Sequence, residues 1–387
     1  MTSRDTIYLD YAATTPVDPR VVEAMNGCLG SDGAFANPSS SHPPGRRAAQ
    51  LVSEARAAIA ARIHVKPEEL IFTSGATESD NLALKGTLMG HGDRYGHLVT
   101  VKTEHKAVLD TAKALERVGF EVTYLDCDST GLIETRQVAD ALKENTVLVS
   151  VMHVNNEIGV IQPLPEIGQL CRSRGVLFHV DAAQSIGKVS LPLNEWCVDL
   201  VSLTSHKVYG PKGIGALYLR PGVRITPLVH GGEQERGLRA GTLSTHQIVG
   251  FGRAFELADA SSEAPKLKVL RARLWEGLKV IEGIRLNGHP KQHSPNILNI
   301  AIPGVEGESL RLATEGIAVS AGAACNTNSP EASYVLKALG LSDTLAQGSL
   351  RFSVGRFTTV EEIDRAVVLV TKEVARLRAL TPVVSDW

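Results

Sequence analysis

Six short stretches of this 387-residue chain carry side chains whose types and spacing suit chemistry. Lys207 follows Ser205 and His206 and precedes a glycine-containing turn, Tyr209 to Gly213. A lysine at the end of an apolar strand beside such a turn is a candidate Schiff-base amine. Desolvation and cationic neighbours such as Lys212 bring its pKa down. Asp181 ends the apolar run Val176–Val180, where a carboxylate can pair with a protonated ring nitrogen, and Gln184 can hydrogen-bond the same ring. Between Thr73 and Ser79, small residues around Ala76 and Thr77 join a strand to a helix and offer free amides to an anion. His105 lies just past another strand end, placed to stack on a flat group and move protons. Cys325 sits among small and polar residues, Ser320 to Thr327, a setting for a reactive thiolate. Arg351 lies on an apolar strand and can grip a carboxylate with two parallel hydrogen bonds.

Each stretch alone has an ordinary reading: a surface lysine, a capping aspartate, a helix cap, a loop histidine, an incidental thiol, a surface ion pair. Their joint occurrence is harder to dismiss. An imine-forming lysine, an aspartate for a pyridinium nitrogen, a phosphate cup, a stacking histidine, a thiol and an arginine together make the inventory of a pyridoxal 5'-phosphate site.

The elements that must position them form a regular pattern. Apolar runs at Leu70–Thr73, His97–Val101, Glu121–Leu125, Val147–Met152, Val176–Val180, Val198–Leu203 and Gly213–Leu219 read as strands. Helical periodicity fills Glu78–Thr87, Lys106–Val118, Thr135–Leu142 and Leu164–Ser173. Alternation of this kind predicts an α/β domain with a mostly parallel sheet, whose ligands sit outside the strands' carboxyl ends. The polar motifs fall at those ends. After a polar joint at Ala260–Pro265 the texture changes. A helix (Leu267–Ile281), a strand (Asn296–Ile302), a helix (Ser309–Glu315), a loop (Ser320–Pro330), a strand (Ser349–Val354) and a last helix (Val360–Leu377) predict a smaller α+β C-terminal domain. The expected division is residues 16–258 for the large domain, with 1–15 and 259–387 in the small one.

Composition narrows the function classes. A net charge of -2 gives no basic excess for nucleic acid or an anionic membrane. No apolar run reaches the roughly 20 residues of a membrane span. The start, Met1 to Asp10, lacks the apolar core of a signal peptide. Five cysteines, an odd number without CxxC spacing, argue against a disulfide framework or a metal site and suit a reducing, cytoplasmic setting. Cys28, Cys127, Cys171 and Cys197 lie in or beside ordinary elements.

At this point the chain resembles the NifS/IscS-type cysteine desulfurases, in the class V aminotransferase group of fold-type I pyridoxal-phosphate enzymes. The resemblance rests on YLDYAATTP from Tyr8, FTSGATES from Phe72, TEHK from Thr103 and HVNNEIG from His153. It continues through HVD from His179, SHK from Ser205, GLRAGT from Gly237 and RFS from Arg351. It implies a large domain built on a seven-stranded sheet and these roles by position. Lys207 holds the cofactor and shuttles the α-proton, Asp181 pairs with the pyridine nitrogen, and Gln184 touches the phenolic oxygen. His105 stacks on the ring. Ala76, Thr77, Thr204 and His206 hold the phosphate, and Thr242 reaches the phosphate of the neighbouring subunit of a homodimer. Asn37, Asn156 and Arg351 surround the substrate L-cysteine, Asn156 also touching the cofactor, and Cys325 is the nucleophile that receives sulfur.

The implied acceptor of that sulfur is a further protein, serving iron–sulfur cluster assembly or thio-modification of tRNA or DNA. Some details depart from the family pattern. Short-loop members usually read SSGSACTS where this chain reads SAGAACNT from Ser320; Thr204 replaces a common serine; Gly231 to Arg236 lacks a histidine before the Glu-Arg pair. The sequence ends at Trp387, where housekeeping bacterial members carry a longer tail, and this leaves partner choice open. Competing readings are a selenocysteine lyase, another class V aminotransferase, or a non-catalytic sulfur-relay subunit.

Overall fold

The computed structural model describes residues 6–92, 96–193, 195–321 and 332–380. The chain opens with β1 (Ile7–Tyr8), α1 (Pro19–Asn26) and α2 (Pro43–Arg62). Strands and helices then alternate: β2 (Leu70–Thr73), α3 (Ala76–Gly90), β3 (His97–Val101), α4 (Lys106–Arg117), β4 (Glu121–Leu125), α5 (Thr135–Ala141), β5 (Thr146–Ser150), α6 (Leu164–Ser173), β6 (Leu177–Asp181), β7 (Leu200–Thr204) and β8 (Gly215–Leu219). Helices α7 (Thr245–Leu257) and α8 (Ala260–Leu278) lead to β9 (Arg285–Asn287), β10 (Ile297–Ala301), α9 (Gly307–Ala313), β11 (Ile317–Ala318) and β12 (Ser320–Ala321). Short helices α10 (Tyr334–Ala338) and α11 (Asp343–Gln347), strand β13 (Ser349–Ser353) and the long α12 (Val360–Leu380) complete it.

The central sheet has seven strands in the order β2-β8-β7-β6-β5-β3-β4. Only β8 runs against the others. Its strands, apart from the edge strand β4, are buried on both faces because alternate side chains enter different cores. Val99, Val149, Phe178 and Val201 join one core, while Leu98, Leu148 and Leu200 join the other. That is why these strands read as continuous apolar runs. A second, antiparallel sheet of order β12-β13-β10-β9 carries the smaller C-terminal domain. Its core also takes Ile7 and Leu9 from the N-terminal segment, and β1 pairs with β11.

Strands β2, β3 and β4 lie where the sequence places them, and the other expected strands move by one or two residues at an end, while the short β1, β9, β11 and β12 were not expected. The polar joint expected at Ala260–Pro265 is instead the first part of helix α8. Asp259 caps it, accepting from the Ser261 amide at 3.0 Å, and the cap outweighs the helix-breaking tendency of Pro265. Helices α2 and α7 lie outside the alternating pattern and pack closely on each other. A Cβ at Gly252 would sit 2.7 Å from Ala55 Cα, so only glycine allows this approach.

A buried carboxylate helps tie the segment from Gly231 to Gly241 to the large sheet. Glu235 accepts from the Phe72 amide of β2 at 2.7 Å and from Arg56 Nη1 of α2 at 2.9 Å. Arg56 also donates to the Leu70 carbonyl and lies over the Phe72 ring. Glu235 and Arg236 adopt left-handed φ values of 47° and 60°, a strained backbone that the Glu235 anchor over-determines. Glu235→Ala strands Arg56 against β2. The expected loss is about 3 kcal/mol of folding stability, read as a lower urea midpoint. An unchanged midpoint means that Arg56 finds another partner and the anchor is dispensable.

Candidate active site

The carboxyl edge of the seven-stranded sheet opens into a cavity of about 400 Å³. Every strand of the sheet except the edge strand β4 delivers one part of its wall. Ser74 and Gly75 follow β2, His105 follows β3, Met152 and Asn156 follow β5, Asp181 ends β6 and Thr204 ends β7. Because β8 runs the other way, its entry, with Lys212 and Gly213, lies on the same edge. His206 and Lys207 come from the connection between β7 and β8.

One end of the cavity suits an anion. Helix α3 starts at Gly75, whose φ of 152° and ψ of 178° suit glycine alone and which makes no side-chain cap. The first amides of α3 therefore face the cavity beside Ala76, Thr77 and the Thr204 hydroxyl, as a phosphate cup requires. Glu78 accepts from the Ser74 amide at 2.6 Å and is paired with Arg239 at 2.9 Å, which neutralises it next to the cup. Thr204 Oγ1 and Asn156 Oδ1 are buried without a protein partner. Facing a cavity, such polar atoms can be satisfied by a bound ligand. A phosphate-bearing cofactor with ring heteroatoms fits this set of donors and acceptors.

The same cavity carries titratable groups. Asp181 is buried, and its Oδ1 accepts from the Ala183 amide at 2.9 Å. His105 caps α4, with Nδ1 accepting from the Ala107 amide at 3.2 Å. A neutral ring accepting at Nδ1 holds its proton on Nε2. Burial, reinforced by the Lys207 charge, keeps His105 below the ordinary imidazole range. Burial, then Lys207, Lys212 and Lys188, brings His206 down to about 4. Its Nδ1 lies 3.1 Å from Thr14 Oγ1. Behind the site Asp80 and Glu104 are fully buried, and burial pushes both carboxyls well above the usual range.

Of the residues singled out from the sequence, Lys207, His105, Asp181, Gln184, Ala76, Thr77, Asn156, Thr204 and His206 all line this cavity. Three do not. Arg351 is 1% exposed, and its guanidinium is already engaged. Nη2 donates to Asp10 and to Ser320 Oγ, and Nη1 to the Asn156 carbonyl. Asn37 is exposed in a turn, where its side chain accepts from the Ser39 amide. Thr242 is exposed and lies off the cavity of its own chain. Cys325 falls outside the described residues. Sequence reasoning gave no site role to Ala13 and Thr14, which line the cavity. The only signal for them was their place in the run from Tyr8 to Pro16.

The lowered His105 pKa has a definite sign. Its ring stays neutral as pH falls through the ordinary value of about 6.5 and takes a proton only below it. A nitrogen-15 NMR titration is expected to show a His105 midpoint below 6.5 in the cofactor-free protein, with the Nε2–H tautomer above it. A midpoint at or above 6.5 would mean that Asp181, not burial, governs this ring.

Comparisons with known proteins agree with this geometry. Residues 7–366 match the aminotransferase class-V family. The chain is 54% identical over 381 residues to the cysteine desulfurase IscS of Klebsiella pneumoniae, covering 97% of this chain and 94% of that one. Among solved structures, a NifS-like protein aligns with a TM-score of 0.90 at 37% identity, over 96% of this chain and 100% of that one. SspA in complex with cysteine aligns with a TM-score of 0.82 at 39% identity, over 92% and 100% of the respective chains. On sequence and fold together, the chain belongs to the class-V aminotransferase family and, within it, to the pyridoxal-phosphate-dependent cysteine desulfurases.

Proposed function

We propose that the chain converts L-cysteine to L-alanine and takes the sulfur onto Cys325 as a persulfide. The observation that carries this reading is the convergence of Lys207, Asp181, His105 and an anion cup on one cavity, in a chain so similar to proteins named as cysteine desulfurases. When bound, pyridoxal phosphate supplies an electron sink that acidifies the α-proton of an amino acid. The protein supplies the rest. The amides at the start of α3, with Thr77, Thr204 and His206, hold the phosphate. Asp181 keeps the ring nitrogen protonated, and Gln184 faces the phenolic oxygen. The Lys207 amine anchors the cofactor, gives way to substrate and moves the α-proton. Neutral His105 stacks on the ring and offers a second site for proton transfer.

The substrate's Cβ–S bond breaks, and its sulfur joins the Cys325 thiolate. The thiol proton and the electron pair left on carbon complete alanine, so L-cysteine plus thiol gives L-alanine plus persulfide, with atoms balanced. Asn37, Asn156 and Arg351 are assigned to the substrate. A second copy of the chain in a homodimer would bring Thr242 to the phosphate, which accounts for its exposed position off its own cavity. The persulfide is then delivered to an acceptor protein for iron–sulfur assembly or for thio-modification of tRNA or DNA. A cytoplasmic location suits the free Cys28, Cys127, Cys171 and Cys197. Among the described residues no helix is long and apolar enough to cross a membrane. Direct nucleic-acid binding is not expected at a net charge of -2.

Alanine formed from L-cysteine, with and without a reducing thiol, tests the reading. Wild type is expected to give alanine and sulfide. Cys325→Ser is expected to bind cofactor yet give neither product, and Lys207→Ala to lose the visible absorbance of the lysine-bound cofactor. Alanine from Cys325→Ser at the wild-type rate would move the acceptor role to another residue. No alanine from cofactor-loaded wild type, with turnover of selenocysteine, would make the chain a selenocysteine lyase.

A further inference from the structure

Lys188 lies four residues after Gln184, in none of the stretches considered so far. Gly187, at a φ of 73°, turns the chain and directs Lys188 back under the site. The turn is held by Ser185, whose Oγ lies 2.9 Å from His153 Nδ1 and whose carbonyl accepts from the Lys188 amide. Lys188 is only 6% exposed. Its Nζ donates to the main-chain carbonyl of Lys207 at 3.1 Å and to Gln184 Oε1 at 3.4 Å. Among the described residues it forms no ion pair. A buried ammonium without a carboxylate partner costs folding stability rather than adding to it. Packing therefore does not explain why a lysine stands here.

The Gln184 amide gives a reason. Its Oε1 faces the Lys188 ammonium, and its Nε2 donates to the Ala12 carbonyl at 2.8 Å. Turning the amide over would set an NH₂ against an ammonium and an oxygen against a carbonyl, two repulsive contacts at once. The ammonium thus selects one orientation and leaves Gln184 a second N–H for the cavity it lines. The same ammonium fixes the main chain of Lys207. We propose that Lys188 is a positioning residue that locks Gln184 as a hydrogen-bond donor toward the cofactor ring and anchors the backbone of Lys207.

The proposal rests on the reading of Lys207 and Gln184 as cofactor residues. A donor on the phenolic oxygen and a cation behind Lys207 both act in one direction. They lower the pH at which the Lys207-bound cofactor releases its proton. The charged and titratable groups around that centre are Lys188, His206, His105, Asp181 and Asp80, with Lys212 beyond His206. Lys188 itself faces Lys207 and Glu263 of α8, and burial brings it down to about 7.

The test is the pH titration of the visible absorbance of cofactor-loaded protein, with Lys207→Ala as the control for lysine-bound colour. Lys188→Met is expected to move the midpoint up by about one unit, the size of a lost donor and a weakened local charge. Lys188→Arg should stay near wild type. Combined with Gln184→Leu, the Met substitution should add less than it does alone, because its effect through the amide is already lost and only its charge beside Lys207 remains to be removed. Lys188→Gln, neutral but polar, serves if the Met form does not load cofactor, and the same upward shift is expected. A loaded neutral variant that titrates like wild type overturns the positioning role while leaving Lys207 in place. A wild type with no lysine-bound colour overturns the site reading on which it rests.

Discussion

A sheet buried on both faces leaves polar groups few places to go. The six strands other than edge strand β4 are covered on either side, and nearly every residue in them is buried. Charges and hydroxyls that would be costly within those faces collect where the strands end. The reversal of β8 matters for the same reason. It brings the start of that strand, with Lys212 and Gly213, to the edge where β6 and β7 finish. One edge thus receives Asp181, Thr204, His206, Lys207 and Lys212 within a short stretch of chain. The close approach is possible because Gly215 has no Cβ, which would come within 2.7 Å of Gly75 Cα.

Burial then decides charge states around that edge. Burial pushes the Asp80 and Glu104 carboxyls well above the usual range, whereas it brings His153 and His179 down to about 3. His179 is boxed in by hydroxyls, with Ser150 at 2.8 Å on one nitrogen and Ser202 at 3.0 Å on the other. Asp80 lies 3.6 Å away. The two sets oppose each other in acid. The unfolded chain protonates its histidines first, so their contribution is lost as pH falls from about 6.5 toward 3. The raised carboxyls act the other way, since the folded state binds the extra protons above about pH 4.

Much of this was legible in the sequence because it is local. Strand ends follow from apolar runs, and the motifs at Thr73–Ser79, His105, Asp181 and Lys207 lie directly after them. The longer C-terminal elements were also readable, but the short β9, β11, β12, α10 and α11 were not, nor was the start of α8, where Asp259 supplies a cap ahead of Pro265. What was hidden depends on contacts between distant segments. Nothing near Lys188 in sequence shows that it reaches the Lys207 carbonyl. Nothing near Glu235 shows that it serves β2 and α2. Thr242 and Asn37 carry expectations that only a second chain or a bound substrate bears on, and Cys325 lies outside the described residues.

Arg351 shows how such a long-range contact changes the chemistry of a residue. Read as a strand-borne arginine, it offers a full positive charge to a carboxylate. In the fold that charge is already shared, because Asp10 from the N-terminal segment sits 2.8 Å from Nη2. Ser320 Oγ bridges the two, donating to Asp10 at 2.9 Å and accepting from Arg351 at 3.0 Å. A paired guanidinium attracts a second anion less than a bare one does. What it retains is directional, since Nε is buried with no partner. The pairing also keeps the arginine from being an isolated buried cation when no substrate is present, which would be costly in a site only 1% exposed. Asp10 is thus what allows an arginine to stand at that position at all.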